Sequence, residues 1–137
     1  ATVPAFTKRI AARREEVLAA LEELQGFLDG YDLPARLRNA VEVSAEELLS
    51  NAWKYAFPGG APGEITLLFE VGEDVARLEV SDAGFLFDPT VVPPPPPPSL
   101  DGAPGGRGIH LVRGLSSSFT HRREGSRNVV TVAFRAS

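Results

Sequence analysis

A carboxylate and an amide lie one helical turn apart in the stretch "EELLSNAWKYAF", residues 46–57. Glu47 and Asn51 are four positions apart, so on a helix their side chains point the same way. Carboxylate and amide oxygens are hard ligands that suit Mg²⁺ and its bound waters. A carboxylate at this spacing can also accept a proton from an attacking hydroxyl group or water. By itself this spacing favours a chance pair on a solvated helix edge, and the interpretation as metal-assisted chemistry needs support from further motifs.

Two further patterns follow along the chain. In "VSDAGFLFDP", Asp82 ends a predicted strand and Gly84 lies two residues on. Such a carboxylate can accept a hydrogen bond from an exocyclic amine, and a glycine lets a flat ring approach the backbone. In "GGRGIHLV", Gly105, Gly106 and Gly108 open a predicted helix, where backbone N–H groups and the helix dipole favour phosphate. Each of these two patterns is also a common turn. Together with the Glu47/Asn51 pair, and in this order along the chain, they are far more specific than any one of them alone.

The elements that must position these residues follow from the hydrophobic spacing. Apolar residues at helical intervals predict a first helix over about residues 5–29, which Gly30 ends. A second helix is predicted from Pro34 to about Tyr55. It would carry both residues of the polar pair at the edge of its apolar face.

The rest of the chain alternates between strands, one long loop and one helix. Strands are predicted at 64–71 and 75–82, a third helix at 105–115, and a final hairpin from "SFTHRRE" and "NVVTVAF". Residues 83–106, which include six consecutive prolines at 93–98, are predicted to be a long functional or disordered loop. Short turns make the paired strands antiparallel. We therefore predict an α+β fold, a two-layer sandwich whose mixed, mostly antiparallel sheet is covered on one face by helices.

Composition bounds the class of protein. The length of 137 residues suits one domain, so residues 1–137 are predicted to form a single domain. The net charge of −4 and the lack of a basic stripe argue against direct binding of nucleic acid. The chain has no cysteine, which excludes disulfides and cysteine-based zinc sites and fits a reducing cytosol. No apolar run approaches the ~20 residues of a membrane span, so we expect a cytoplasmic protein without membrane contact.

The motifs resemble those of the Bergerat-fold (GHKL) ATPase superfamily, and are most similar to those of bacterial anti-sigma-factor serine/threonine kinases. "EELLSNAWKYAF" resembles their N box, and "DAGFLFDP" resembles their Asp-x-Gly-x-x-Phe-Asp-Pro box. "GGRGIHLVRGL" resembles their glycine-rich third box, and "RREGSRNVVTVAF" their closing hairpin. The likeness covers about residues 5–135. It implies the ATP-binding fold of a histidine-kinase-like ATPase domain, in agreement with the order of elements predicted above.

The resemblance implies a role for each candidate residue. Glu47 would be the general base, and Asn51 would bind ATP as the ligand of its Mg²⁺. Asp82 would hold the adenine amine, and Gly84 would pack near the ring. Thr131, in the last strand, is expected near the adenine.

Phosphate contacts would come from the third box. Gly106 and Gly108 would face the phosphates, and residues 85–104 would form a lid over the nucleotide. Kinases of this family usually carry a basic residue that reaches the γ-phosphate, and here Arg107 and Lys54 are the candidates. For Arg107 a solvent-exposed position at a helix start is an equal alternative, and for Lys54 the solvated position is favoured.

By resemblance, the protein binds ATP with Mg²⁺ and transfers the γ-phosphate to a serine or threonine of a partner. That partner would be an anti-sigma antagonist, a sigma factor would be a second binding partner, and a homodimer is implied. One alternative is a nucleotide-binding regulatory module without kinase activity, because residues 88–106 contain no Lys or Arg. Another is the ATPase domain of a histidine kinase. Against it, His110 and His121 are the only histidines and neither lies in a separate phosphoacceptor helix.

Overall fold

The computed structural model of the chain describes residues 4–91 and 107–135. The predicted six-proline run, and the predicted lid beyond residue 91, lie outside the described residues. In chain order, the strands and α-helices are β1 (Ala5–Ala11), α1 (Arg14–Asp29), α2 (Ala35–Asn51), β2 (Glu64–Val71), β3 (Val75–Asp82), α3 (Arg107–Leu115), β4 (Ser118–Glu124) and β5 (Arg127–Arg135). A π-helical turn, Ala52–Ala56, and a short 3₁₀ turn, Pro58–Gly60, follow α2.

The five strands form one sheet in the order β1-β2-β3-β5-β4. Helices α1, α2 and α3 pack together, and α2 contacts the two central strands, β3 and β5. The predicted α+β sandwich is thereby confirmed. Every strand pair in the described sheet is antiparallel, so the mixed component of the prediction is absent from these five strands.

The core lies between the helices and one face of the sheet. Alternate residues of the three inner strands, β2, β3 and β5, point into it, as the period of two requires. These inward residues are Ile65, Leu67 and Phe69 of β2, Ala76, Leu78 and Val80 of β3, and Val130, Val132 and Phe134 of β5. The buried stripes of α1 and α2 cover them. This inward face continues to Asp82 and Asn128, which pair directly across β3 and β5.

The predicted first helix over 5–29 is wrong in its first part, which is strand β1. Residues 5–11 pair with β2 along their whole length, and α1 begins only after Arg13, which is extended. Pairing satisfies backbone groups on the outer side of β2 that a helix would leave without partners. It also places Phe6 against Phe27 of α1, with ring centroids 5.7 Å apart, and Lys8 within 3.1 Å of Glu23.

The predicted second helix is confirmed, with a change of winding at its end. Helix α2 ends at Asn51, and the next five residues continue as a π-helical turn. Single π-helical turns are uncommon and occur frequently at functional sites. Within the described part of the chain, no helix is both long and apolar enough to cross a membrane.

Two leucines of α1 provide a matched test of this packing. Leu24 is 1% exposed and Leu18 is 47% exposed on the same helix. We expect Leu24→Ala to lower the free energy of unfolding by about 2–5 kcal/mol, because it leaves a cavity under the helix. Leu18→Ala should change it by about 0.5 kcal/mol or less. Urea unfolding measures both, and equal losses in the two variants would contradict this orientation of α1.

Candidate active site

A buried carboxylate and a buried amide meet at the end of the two central strands. Asp82 and Asn128 are 4% and 2% exposed. The Asn128 side chain donates from Nδ2 to Asp82 Oδ1 at 3.0 Å, and the Gly84 backbone N–H donates to the same oxygen at 2.9 Å. Both hydrogen bonds end on Oδ1. The other carboxylate oxygen, Oδ2, is therefore the one that can accept a hydrogen bond from a ligand.

Asn51 lines a small cavity together with Asp82 and Asn128. The cavity has a volume of about 10 Å³, which is room for one water molecule. Asn51, Asp82 and Asn128 are its polar walls, and the apolar walls come from α2, β3, β5 and Pro89. The structure therefore brings together Asn51 and Asp82, two residues that the sequence singled out in separate motifs.

Glu47 lies one helical turn before Asn51 and contacts the first turn of α3. A Cβ atom built on Gly108 would overlap the Glu47 carboxyl group. A glycine at this position is thus what allows α3 to approach α2 so closely. The contact places the candidate general base beside the amino-terminal end of α3, where the predicted phosphate site begins.

The surroundings of Glu47 favour its protonated form. Burial raises the pKa of the Glu47 carboxyl above its ordinary value, and the neighbouring Glu46 carboxylate raises it further. Lys54, in the π-helical turn, opposes this shift and lowers the pKa. A base with a raised pKa binds a proton more strongly, which suits a group that must take one from a hydroxyl.

Gly84 packs against the end of the α2 layer. A Cβ atom at Gly84 would overlap the backbone carbonyl oxygen of Ala56, and the Phe85 N–H donates to that oxygen at 2.9 Å. The close approach to Ala56 is therefore a structural reason for glycine here. Its predicted contact with a ring stays a prediction.

The segment after β3 contacts Asn128 near the start of β5 and the π-helical turn after α2. Phe87 is half-buried and stacks on Tyr55 of the π-helical turn, with ring centroids 4.9 Å apart. Pro89 is buried and lines the cavity, whereas Phe85 and Leu86 are exposed. This segment thus joins the π-helical turn to the pocket.

The remaining predicted residues do not all join this group. Thr131 alternates with Val130 and Val132, so its side chain is on the sheet face opposite Asp82. In the register it pairs with Glu79, and its hydroxyl is buried without a hydrogen bond to the described residues. Arg107 is the first residue of α3, and Gly106 lies outside the described residues. In this register the Thr131 side chain does not face the Asp82 cavity, and its expected place near the adenine stays a prediction.

Sequence reasoning missed Asn128, which is at the centre of the polar network. Its signal was present, because asparagine is depleted in strands and Asn128 begins the apolar run "NVVTVAF". His121 of β4 was also missed, and its Nε2 lies 3.1 Å from Asn128 Oδ1. Finding both required the register of three strands, which pairs Asp82 with Asn128 and His121 with Val130.

Two glycines of α3 test the contact with Glu47. Gly108→Ala should displace the first turn of α3 or the Glu47 carboxyl, and so lower both stability and any activity of the site. Gly114→Ala is the matched control, because a Cβ there has nothing within 4 Å. It should stabilise the protein by up to about 1 kcal/mol, since alanine is the better helix former. Thermal unfolding of the two variants checks this, and a stabilising Gly108→Ala would contradict the packing.

Comparisons with known proteins identify the family of the chain. Residues 10–134 match the family described as histidine kinase-like ATPase domain. Serine/threonine-protein kinase BtrW of Bordetella bronchiseptica is 35% identical over 100 residues, covering 72% of this chain and 70% of BtrW. Serine-protein kinase RsbW of Listeria innocua is 29% identical over 83 residues, covering 61% of this chain and 53% of RsbW. The chain thus spans about half the length of RsbW.

The fold has a counterpart among solved structures. The crystal structure of the RsbU and RsbW domains of Rv1364c from Mycobacterium tuberculosis superposes with a TM-score of 0.66. The match covers 98% of this chain and 33% of that chain, at 13% sequence identity. At this identity the likeness concerns the fold alone. The family match over residues 10–134 establishes that the chain belongs to the histidine kinase-like ATPase domain family.

Proposed function

We propose that the protein is an ATP-dependent serine/threonine kinase of the anti-sigma-factor type. The observation that carries the proposal is the convergence of Asn51 and Asp82 on one cavity, with Glu47 one turn away against α3. The similarity to two proteins named as serine or serine/threonine kinases supports the same activity. We also propose that the fold positions the groups for phosphoryl transfer mainly through the α2–α3 contact.

In this proposal Asp82 recognises the base of the nucleotide. Its Oδ1 is already used by Asn128 and the Gly84 N–H, so Oδ2 would accept from the adenine amine. A carboxylate held by two donors keeps a fixed direction and needs no reorientation of its own when the ligand arrives. Adenine is thereby selected over bases that present a carbonyl oxygen at this position. The cavity beside the carboxylate has room for one water molecule, so its walls must move apart to admit the ring.

Asn51 and the start of α3 would hold the charged part of the ligand. The amide oxygen of Asn51 fits Mg²⁺, which prefers a few protein oxygens beside phosphate and water. Bound Mg²⁺ would neutralise charge that develops on the phosphates. Gly108, Arg107 and Gly106 belong to the proposed phosphate site, because backbone N–H groups at a helix start favour anions. Lys54 supplies positive charge beside Glu47, whose pKa it lowers.

Glu47 would act as the general base. The hydroxyl oxygen of the substrate serine or threonine attacks the γ-phosphorus, the bond to the β-phosphate oxygen breaks, and the hydroxyl proton passes to Glu47. Most of the rate would come from positioning and from stabilising charge, as is general for phosphoryl transfer. The α2–α3 contact through Gly108 would keep the base in place.

The proposed protein substrate is an anti-sigma antagonist, with a sigma factor as the second partner and a homodimer as the working assembly. These partners rest on the sequence resemblance and on the kinase names of the relatives. Transfer of labelled γ-phosphate from ATP to small antagonist proteins of the same organism tests the substrate class. ATP binding without transfer to any of them would favour a regulatory module that uses the nucleotide as a ligand. The absence of Lys and Arg from the sequence of residues 88–106 favours this second candidate.

Calorimetry of ATP binding tests the site itself. Asn51→Ala should remove the dependence of ATP affinity on Mg²⁺, because the proposed metal ligand is lost. Asp82→Asn should keep the Oδ1 acceptor for Asn128 and Gly84 but replace the Oδ2 acceptor by a donor. We expect it to weaken ATP binding by at least about tenfold while the fold is kept.

Matched controls exist on the same elements. Asn39→Ala removes an exposed amide of α2, and Asp74→Asn removes an exposed carboxylate of the β2–β3 turn. Both controls should bind ATP as the unmodified protein does. If the unmodified protein binds no ATP at millimolar concentration, the proposed function fails.

Glu47→Gln separates chemistry from binding. We expect phosphotransfer to fall by about 10²–10⁴-fold, the usual loss when a general base is removed, while ATP still binds. In the unmodified protein the rate should fall as pH drops through the raised pKa of Glu47, since only the carboxylate accepts a proton. Glu46→Gln, the exposed neighbour, is the control and should retain activity. Equal losses in both variants would contradict the assignment.

The same variant has a predicted effect on stability. Because the pKa of Glu47 is higher in the folded chain than in the unfolded chain, the folded state binds more protons between the two values. The free energy of unfolding therefore decreases as pH rises through that window, and the ionised carboxylate costs stability at pH 7. Glu47→Gln should thus unfold at a higher temperature at pH 7 and lose this advantage at acidic pH, where Glu47 is protonated in both states.

A further inference from the structure

The Asn128 side chain connects the segment after β3, residues 83–91, to the β4–β5 hairpin. Asn128 Nδ2 donates to the Phe85 carbonyl oxygen at 2.7 Å as well as to Asp82 Oδ1 at 3.0 Å. Asn128 Oδ1 accepts from the Phe87 backbone N–H at 3.3 Å. The same side chain thus orients the proposed base-binding carboxylate and fixes the backbone on both sides of residue 86.

These contacts determine which way round the amide lies. A carboxylate and a carbonyl can only accept, so the atom of Asn128 that faces both must be the nitrogen. Oδ1 is then the atom that faces His121 Nε2 at 3.1 Å. His121 must therefore carry a hydrogen on Nε2, and it donates that hydrogen to Asn128.

The second ring nitrogen of His121 faces a carboxylate. His121 Nδ1 lies 3.5 Å from Asp88 Oδ2, and the His121 side chain is 6% exposed. Asp88 is itself held in place, because its Oδ1 accepts from the Thr90 backbone N–H at 2.8 Å and from the Thr90 hydroxyl at 2.6 Å. A neutral ring with its hydrogen on Nε2 would turn a lone pair toward this carboxylate. Only the doubly protonated ring donates to both neighbours.

Charged groups of both signs surround the pair. On β4, Arg123 points to the same side as His121 and donates to the Gly84 carbonyl oxygen at 3.0 Å. From α3, Arg113 donates to the Thr90 carbonyl oxygen. The Asp82 carboxylate is connected to His121 through the Asn128 amide, whereas the Asp88 carboxylate faces the His121 ring directly. Both arginines donate hydrogen bonds to backbone carbonyl oxygens of residues 83–91. Asp88 is therefore the charged side chain whose attraction to His121 changes when the ring gains or loses a proton.

We propose that His121 is a positioning residue of the nucleotide site, which in its imidazolium form fastens residues 83–91 to the β4–β5 hairpin and holds Asn128 against Asp82. Loss of one proton removes the attraction to Asp88 and loosens the fastening. Histidine is the side chain that proteins generally use to respond to pH in the physiological range, so pH is the variable of the test. The part of this proposal that concerns ATP rests on the proposed function, whereas the fastening itself does not.

Two measurements on the full chain test the proposal. The first is the hydrogen-exchange protection factor of the Phe87 amide, whose N–H donates to Asn128. We expect it to be about threefold to fivefold higher at pH 6 than at pH 8, as for loss of one partly exposed ion pair. The second is the Kd of ATP with Mg²⁺, measured by calorimetry on the unmodified protein and on a variant without His121. At pH 6 the unmodified protein should bind ATP more tightly than the variant by a similar factor, and at pH 8 the two Kd values should be equal.

The informative variant is His121→Gln. The glutamine Nε2 can still donate to Asn128 but carries no charge for Asp88. This variant should fold, and its Phe87 protection factor should be the same at both pH values, at the lower level. ATP itself titrates in this range, so the quantity compared is the difference in Kd between variant and unmodified protein at each pH. Arg122→Gln, an exposed residue of the same strand whose side chain is on the other face, should keep the full pH dependence.

Asp88→Asn provides the second route if His121→Gln unfolds. It keeps the histidine, removes the carboxylate charge and should abolish the same pH dependence. If the Phe87 protection factor of the unmodified protein is equal at pH 6 and pH 8, the proposal is wrong. If protection depends on pH and His121→Gln abolishes the dependence, the fastening is supported even where no ATP binds, and only the proposed function fails.

Discussion

The hydrogen bond between Asp82 and Asn128 is the contact on which the arrangement of the site depends. A carboxylate that is 4% exposed is costly to bury unless donors satisfy it. Asn128 supplies one donor from the partner strand, and the Gly84 N–H supplies the other from the chain itself. The same amide also bonds the backbone of the following segment. A single side chain thus contributes to the pairing of β3 with β5, to the direction of the carboxylate and to the course of the chain after β3.

Helix α2 serves the core and the site with neighbouring residues. Leu48 and Leu49 are buried beneath the helix layer, while Glu47 and Asn51 lie at the edge of that stripe. This edge position suits the proposed role of Glu47 as general base, since partial burial raises its pKa without removing it from solvent. The π-helical turn that follows Asn51 ends the regular helix at the pocket. Gly108 then lets a second helix reach the carboxylate.

Local patterns in the sequence predict much of this fold. The helical spacing of α2, the alternation in β2 and β3 and the closing hairpin depend on residues close in the chain, and all were predicted correctly. Strand β1 could not be found this way, because Ile10 fits a helical stripe as well as a strand and its partner Ile65 is distant in sequence. Among site residues, Glu47, Asn51 and Asp82 belong to motifs, and their proximity is a consequence of the fold. The sheet face on which Thr131 lies could not be predicted, because a motif does not say which side of a strand a residue is on. Only the register assigns the inward face to Asn128.

The position of β3 has a consequence for synthesis of the chain. This strand lies between β2 and β5, and its bond to Asn128 joins residues 46 positions apart in sequence. A ribosome adds about 5–20 residues per second, so β3 waits about 2–9 s for β5 after its own last residue is made. During that time one apolar strand edge has unpaired backbone groups, which is the kind of surface that templates aggregation. We expect the nascent chain, rather than the finished protein, to be the form that most needs a chaperone.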